Sequence, residues 1–364
     1  MFNRIISRFS SPFSNIHSLP SVIPAVGQAY NGMIAMEGRQ AAMLHSIIVP
    51  LVMGLAIFIT GMKVMELSLH ALAGNRLQRF LERFTRTPAR GMLTSTALTA
   101  ALQSSTAVTV ITIGLVNAGL MSFPQSLGII LGTNIGTTLT TELLGLDIAR
   151  YAVPLFAGGA AVWLLASLAA VLAPTNERAL RAARSFRHGA LALCGFACVL
   201  MGMETMQTAI PALRERGAFA WLVQQAQHSD LWGVMAGAAI TALIHSSAVI
   251  IVMAMGLAAS QAITPELGIA ITIGANVGTC VTALLASIGG SRAGTWVAWS
   301  HVALNVAGAA LFYPFIAALA AFTGLFASTP AEQVAHAQTI FNIVGSLLAL
   351  PFCYLSVWGR LKTQ

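Results

Sequence analysis

The sequence predicts an all-α integral membrane protein, an inverted-topology repeat with two re-entrant helical hairpins. Three observations predict this fold class. Only 8% of the residues are charged and 57% are hydrophobic, whereas a soluble domain carries about 25% charged residues. Long uncharged runs dominate, which favours helices because backbone polar groups in lipid must be satisfied within the spanning segment. A polar motif also occurs twice, 142 residues apart, within this apolar sequence.

The repeated motif has two parts with a fixed spacing. Gln103-Ser104-Ser105 is followed by Gly-Thr-Asn-Ile-Gly-Thr at 132–137, and His245-Ser246-Ser247 by Gly-Ala-Asn-Val-Gly-Thr at 274–279. Duplicated apolar halves that each carry a hydroxyl- and glycine-rich break point to a secondary transporter. A duplicated helix-packing motif is the alternative, but packing alone does not require a polar cluster at bilayer depth.

The predicted elements follow from the length of the apolar runs. Uninterrupted segments of spanning length lie at 47–69, 126–145, 151–173, 188–208, 266–288, 295–321 and 336–358. The interrupted stretches 92–120 and 233–261 are too short for two crossings of about 20 residues each, so each is predicted to be a hairpin. The organisation is then a lead-in over 1–46 (interfacial or flexible), a first repeat over 47–173, a basic linker over 174–187, a second repeat over 188–358 and a tail over 359–364.

Loop charge predicts the orientation. The loop 76–90 carries five arginines against one glutamate, and the linker 174–187 carries four against one. Both are expected to be cytoplasmic, so an even number of crossings must separate them, and the second hairpin then enters from the opposite face. The net charge of +8 therefore indicates a positive-inside membrane protein, with lipid and not nucleic acid as its partner.

The broken helices predict an anion site. A half-helix that begins within the membrane exposes unpaired N–H groups and the positive end of its dipole, and two such ends can hold an anion without arginine. Indeed, 91–149 and 217–291 contain no Arg or Lys. Carbonyl, Asn and Thr oxygens at the same breaks suit a hard cation such as sodium. The residues alone predict a small oxyanion as cargo.

Gln-Ser-Ser-Thr at 103–106 and Gly-Thr-Asn-Ile-Gly-Thr-Thr at 132–138 resemble the bacterial branch of the type II sodium–phosphate cotransporter family. The resemblance covers about 47–358 and includes Leu-Ala-Gly-Asn-Arg-Leu at 72–77. It implies a transporter of the bacterial inner membrane, with sodium as coupling ion and no cofactor. No sequence motif suggests catalysis, so no enzymatic activity is expected. The PhoU-like domain that many bacterial relatives carry is not expected in this protein. A homodimer is left open.

The resemblance also implies ligands. Phosphate would be bound by Gln103, Ser104, Ser105, Thr106, His245, Ser246, Ser247, Asn134 and Asn276. Sodium would be bound by Thr279, Thr282, Ser246 and Ser247, with Thr137 and Thr140 as the equivalent residues of the first half.

His245 replaces the family's Gln. Histidine can titrate near neutral pH, so this residue either couples transport to pH or forms neutral hydrogen bonds in place of the amide.

Glu142 is a candidate for a cation pathway because an acid within the membrane is functional by default; the alternative is a hydrogen-bonded or interfacial acid.

The leading prediction is a sodium-coupled phosphate carrier that works by alternating access around the two hairpin tips. Two alternatives remain: an uncoupled or proton-coupled anion channel or exporter, and a phosphate-sensing membrane regulator that does not transport.

Overall fold

The computed structural model describes residues 44–73, 84–146, 149–172, 175–209, 211–212, 229–355 and 358, and this part of the chain is all-helical. A π-helical turn, Leu44–Ile48, precedes the first helix. The helices are α1 (Val49–Ala73), α2 (Pro88–Leu102), α3 (Ser105–Asn117), α4 (Phe123–Gly145), α5 (Ala152–Leu172), α6 (Glu177–Gln207), α7 (Asp230–Ile244), α8 (Ser247–Ala259), α9 (Pro265–Gly278), α10 (Cys280–Ser287), α11 (Arg292–Phe312), α12 (Ile316–Thr323) and α13 (Pro330–Ala349). The predicted tail, most of the lead-in and residues 76–83 of the first basic loop lie outside the described residues.

Six stretches of the described chain are long and apolar enough to cross a membrane: His45–Leu72, Ala152–Leu172, Glu177–Gln207, Pro265–Ser287, Arg292–Thr323 and Pro330–Tyr354. They make the chain a multi-pass membrane protein. Each corresponds to one of the seven predicted uninterrupted segments. The seventh segment lies in α4, whose 23 residues include many Thr and Gly residues, Asn134 and Glu142. Its length suffices for a crossing, but its composition is more polar.

Several helices begin at a Thr-Pro pair. Pairs at 87–88, 264–265 and 329–330 start α2, α9 and α13, and each threonine hydroxyl accepts a hydrogen bond from a backbone N–H in the first turn. Proline fits the first helical position because its missing N–H would have no partner there. These short polar signals therefore define where the apolar runs become helices.

Helix α6 begins earlier than predicted, at Glu177, so most of the linker 174–187 is helical. The Asn176 side chain caps the helix by accepting hydrogen bonds from two backbone N–H groups. Arginine and alanine are good helix formers, and the four arginines recur every third residue in this extension. The charge pattern predicts a loop, whereas the arginines lie on the exposed first turns of α6.

Glycines bring α1 and α6 into close antiparallel contact. A methyl group on Gly61 would lie 2.6 Å from the carbonyl oxygen of Gly195, and one on Gly202 would lie 2.6 Å from that of Gly54. Small residues allow such backbone approach between membrane helices. Helix α5 packs on the other side of α6, where a methyl group on Gly159 would lie 2.7 Å from the Cys194 sulfur.

The first interrupted stretch places α2 parallel to α4. A methyl group on Gly128 would lie 2.1 Å from the Pro88 carbonyl oxygen, and one on Gly132 would lie 2.1 Å from that of Met92. Residue numbers rise together along both helices, so α2 and α4 begin at the same end. The connecting helix α3 therefore runs back toward that end.

The second interrupted stretch repeats this packing. A methyl group on Gly274 would lie 1.9 Å from the carbonyl oxygen of Val234, and one on Gly278 would lie 2.4 Å from that of Ala238. These contacts are the counterparts, 142 residues later, of those between α2 and α4. Helix α7 is thus parallel to α9. Helix α8, which connects them in the chain, runs in the opposite direction.

The start of α9 lies beside the end of α4. A methyl group on Gly145, the last residue of α4, would lie 3.3 Å from the Cβ of Ala335, and one on Gly268, in the first turn of α9, would lie 2.8 Å from a Val334 methyl. At the other end of α4, the N–H of Ser291 at the start of α11 donates to the Asn117 side chain at the end of α3, over 3.0 Å. The end at which α2, α4 and α11 begin is called the arginine end below.

Candidate functional site

The first helix break is at Gln103 and Ser104, between α2 and α3. Gln103 adopts the left-handed backbone conformation with φ 55°, and Ser104 is extended with φ −146°. The Ser104 hydroxyl oxygen accepts a hydrogen bond from the Ala107 N–H at 3.2 Å. The other N–H groups of the first turn of α3 have no partner within the helix, as at any helix start. We call this break tip 1.

The second break, tip 2, has nearly the same backbone at different residues. His245 has φ 59° and Ser246 has φ −145°. The Ser246 side chain makes no capping hydrogen bond, so the first-turn amides of α8 keep their hydrogen-bonding capacity. His245 is exposed, Ser246 is partly buried and Ser247 is buried. No hydrogen bond joins the two tips directly among the described residues.

Glu66, on α1, contacts tip 1 and was missed by the sequence analysis. The Ser104 hydroxyl donates to Glu66 Oε1 over 2.8 Å, and Lys63 Nζ lies 2.9 Å from Oε2. The contact spans 38 residues of sequence, which no local pattern reveals. The available signal was an acid inside a 25-residue apolar helix, which by default marks function.

Tip 1 is also bonded to α4. The Thr140 hydroxyl donates to the Gln103 side-chain oxygen, and the Gln103 amide nitrogen donates to the Ala100 carbonyl. A residue expected to bind phosphate is thereby connected to one expected to bind sodium. The remaining predicted sodium threonines donate to carbonyl groups of the preceding turn: Thr137, Thr279 and Thr282. The tip 1 residues Ser105 and Thr106 are partly buried and exposed, respectively.

Two buried threonines lie one turn before the tips. Thr99 and Thr241 are fully buried, and their hydroxyl groups have no hydrogen-bond partner among the described residues. Each lies against the second glycine of a Gly-x-Asn-x-Gly-Thr segment, Gly136 or Gly278. A buried polar group without a partner is costly. The two threonines are therefore candidates for contact with a ligand. Their matching positions in the two halves of the sequence could have indicated this role.

The two asparagines of the motif have different surroundings. Asn134 Nδ2 donates to the side-chain oxygen of Asn305 on α11 over 3.3 Å. These two side chains and Asn342 line a cavity of about 20 Å³ between α4, α11 and α13, room for one water-sized particle. Asn276 Nδ2 is buried and has no partner among the described residues.

Glu142 is a hydrogen-bonded acid at the end of α4. His336 Nδ1 lies 2.8 Å from Glu142 Oε2, and the Thr339 hydroxyl donates to Oε1. One residue earlier, Thr141 donates to the Gln338 side chain. These contacts join α4 to α13. Within the described ranges, no group of three His, Cys, Asp or Glu residues could hold a metal ion.

The fold and the paired breaks define the class of this protein: a multi-pass helical membrane protein with polar residues concentrated at two helix breaks. The chain belongs to the Na+/Pi-cotransporter family, whose profile matches residues 57–208 and again residues 198–351. The double match agrees with the duplication found in the sequence.

Named relatives extend this result. The chain is 32% identical over 298 residues to "Uncharacterized protein YqeW" of Bacillus subtilis, which covers 82% of this chain and 92% of YqeW. It is 23% identical over 304 residues to "Putative inorganic phosphate export protein YjbB" of Escherichia coli K12, covering 83% of this chain and 53% of YjbB. It is 22% identical over 307 residues to the protein of that name in Salmonella typhimurium, covering 84% and 53%. The chain thus spans about half the length of the YjbB proteins. No solved structure matches it.

Proposed function

We propose that this protein moves inorganic phosphate across the bacterial inner membrane by alternating access around tip 1 and tip 2, with sodium as coupling ion. The observation that carries the proposal is the matched backbone of the two tips, each of which starts a helix with free amide groups inside apolar sequence. Family membership and the name of YjbB support phosphate as the cargo.

In this proposal, α2–α3 and α7–α8 are re-entrant hairpins of an inverted repeat. Support comes from the parallel packing of α2 on α4 and of α7 on α9, and from the start of α9 beside the end of α4. Hairpins that enter from opposite faces would bring two positive helix ends toward one anion. Amide groups hold an anion reversibly, which suits a carrier that must release its cargo.

Sodium is proposed for the oxygen-rich segments after each hairpin. The supporting observations are the unpartnered Thr99 and Thr241 hydroxyls beside these segments and the bond between Thr140 and Gln103. Hard cations prefer oxygen ligands, and a bound cation would offset the charge of the anion in a low-dielectric site.

The test is uptake of ³²P-phosphate into liposomes that contain the purified protein. We expect uptake driven by a sodium gradient, with Ser104→Ala and Ser246→Ala each slowing it about tenfold or more, the usual cost of a lost hydrogen bond to a charged group. Ser167→Ala is the matched control, because that hydroxyl donates only to the Trp163 carbonyl of its own helix. Equal uptake by all four proteins would contradict the proposed site.

Export is the second candidate, favoured by the name of YjbB, and it is considered in its simplest form, without sodium coupling. Replacing sodium by choline in the same liposomes separates the two. Phosphate flux that continues at an equal rate in choline would favour the second candidate, whereas loss of flux would favour sodium coupling.

A further inference from the structure

We propose that Glu66 makes the site selective for oxyanions that carry a proton, so that phosphate is accepted and sulfate is rejected. This inference rests on the proposed function, because it assumes that the anion binds at tip 1. It assigns a specificity role to a residue of α1, outside both hairpins.

The hydrogen-bonding capacity of Ser104 is largely used within the protein. Its hydroxyl donates to Glu66 Oε1 over 2.8 Å, and its oxygen accepts from the Ala107 N–H at 3.2 Å. A hydroxyl has one donor and two acceptor positions. What Ser104 can still offer a ligand is therefore an acceptor position, and the neighbouring carboxylate offers acceptors only.

Glu66 is placed to meet a ligand at this point. Its side chain is 24% exposed, whereas Ser104 is buried. Lys63, which is largely exposed, pairs with the second carboxylate oxygen at 2.9 Å. A carboxylate beside an anion site repels an anion without protons, but it accepts a hydrogen bond from one that has a hydroxyl group.

The two common tetrahedral oxyanions differ in this respect. Phosphate carries at least one hydroxyl group at neutral pH, while sulfate carries none. A site built to hydrogen-bond a hydroxyl rejects the analogue that lacks it, since its own polar groups are then left unpaired. The ionised oxygens of phosphate would accept from the amide groups of α3, and its hydroxyl would donate to one acceptor at the Ser104–Glu66 pair.

The feature belongs to one half only. The residue equivalent to Glu66 in the second half, 141 positions later, is Gln207. Its side chain lies against Gly256 in α8, where a methyl group would be 3.3 Å from Gln207 Nε2. The structure thus assigns recognition of the hydroxyl to tip 1, while tip 2 supplies amide groups.

The first measurement needs no variant. Binding of ³²P-phosphate to the purified full chain is competed with unlabelled phosphate, arsenate, sulfate and monofluorophosphate at neutral pH. Monofluorophosphate is a dianion of similar size in which fluorine replaces the hydroxyl. We expect arsenate to compete like phosphate, and the two anions without a proton to compete at least about tenfold more weakly. Equal competition by monofluorophosphate would overturn the inference.

The second measurement uses Glu66→Gln with Glu204→Gln as the matched control, since Glu204 is an exposed acid on α6. We expect Glu66→Gln to reduce the preference for phosphate over sulfate about tenfold, and Glu204→Gln to retain it. An unchanged preference in Glu66→Gln overturns the inference and leaves the proposed function intact. A wild-type protein that binds no phosphate removes both.

Discussion

At the residue scale, Gln103 and His245 share an uncommon backbone. Both lie in the left-handed region, with φ 55° and 59°, which costs a residue with a side chain about 1–2 kcal/mol relative to the right-handed form. Two different side chains carry this conformation at matching positions. The conformation is therefore imposed by the turn between the half-helices, and such strain commonly marks functional sites.

The Gln103–Thr140 bond gives the first prediction. Thr140→Val removes the donor to the Gln103 side-chain oxygen, so we expect phosphate uptake to fall about tenfold. We also expect the sodium concentration needed for half-maximal uptake to rise. A double-mutant cycle with Gln103→Ala measures the coupling, and non-additive losses are expected because the two side chains are in contact. Thr205→Val, whose hydroxyl donates to Met201 of its own helix, controls for loss of a hydroxyl. Additive losses would contradict this prediction.

The role of His245 gives the second prediction. Its side chain is exposed, and Gln103 carries a side-chain amide at the matching backbone position of tip 1, which favours a hydrogen-bonding role that an amide can also fill. We expect His245→Gln to transport phosphate with the wild-type pH profile between about pH 5 and 8. A profile that flattens in the variant would instead support direct coupling to pH.

At the element scale, the half-helices are held by backbone contacts through glycine. Gly274 has no room for a methyl group, which would lie 1.9 Å from the Val234 carbonyl oxygen, whereas Gly158 has nothing within 4 Å. Both glycines lie inside helices. Comparing an alanine substitution at each position therefore separates the cost of overpacking from the effect of helix propensity.

Gly274→Ala is therefore expected to destabilise the protein by about 1–3 kcal/mol, the typical cost of overpacking. Gly158→Ala is the matched control and should be neutral or stabilising by up to about 1 kcal/mol, because alanine is the better helix former. Thermal unfolding in detergent checks both variants. A midpoint for Gly274→Ala equal to that of the wild type would show that α7 and α9 are not closely packed.

Most elements could be predicted from the sequence because their signals are local. Long apolar runs indicated the spanning helices, and the Ser-Ser clusters interrupted the runs where α2 and α7 end. The start of α6 was predicted incorrectly because arginines were interpreted through charge alone, although Asn176 is a helix cap. Glu66 and His336 were missed because their partners are 38 and 194 residues away in sequence, and such contacts depend on the assembled helices.

At the scale of the whole molecule, charge is distributed unequally between the two ends. The arginine end carries Arg90 near the start of α2 and Arg292 at the start of α11. The opposite end carries one arginine, Arg150, after α4, and the acids Asp230, Glu266 and Glu332 in the first turns of α7, α9 and α13. This asymmetry favours a cytoplasmic arginine end.

The orientation gives the fourth prediction. Ser122 lies at the arginine end and Ser328 at the opposite end, and both residues are exposed. Each is replaced by cysteine in a separate variant. We expect a membrane-impermeant maleimide to label Ser328→Cys in intact cells and Ser122→Cys only after the membrane is opened. The wild-type chain supplies the background, since three of its four cysteines are buried. Labelling of Ser122→Cys in intact cells would contradict a cytoplasmic arginine end.

The glycine contacts described for α2 with α4, and for α7 with α9, limit where this molecule can deform. Helices in backbone contact cannot slide past each other without steric clashes, so we expect each pair to move as a rigid body. The side-chain hydrogen bonds from α4 to α11 and α13 include Asn134 with Asn305, Thr141 with Gln338, and Glu142 with His336. Such bonds can be exchanged one at a time. Under the proposed alternating access, we expect an aqueous route to open along this boundary of α4, and time-resolved distance probes belong on its two sides.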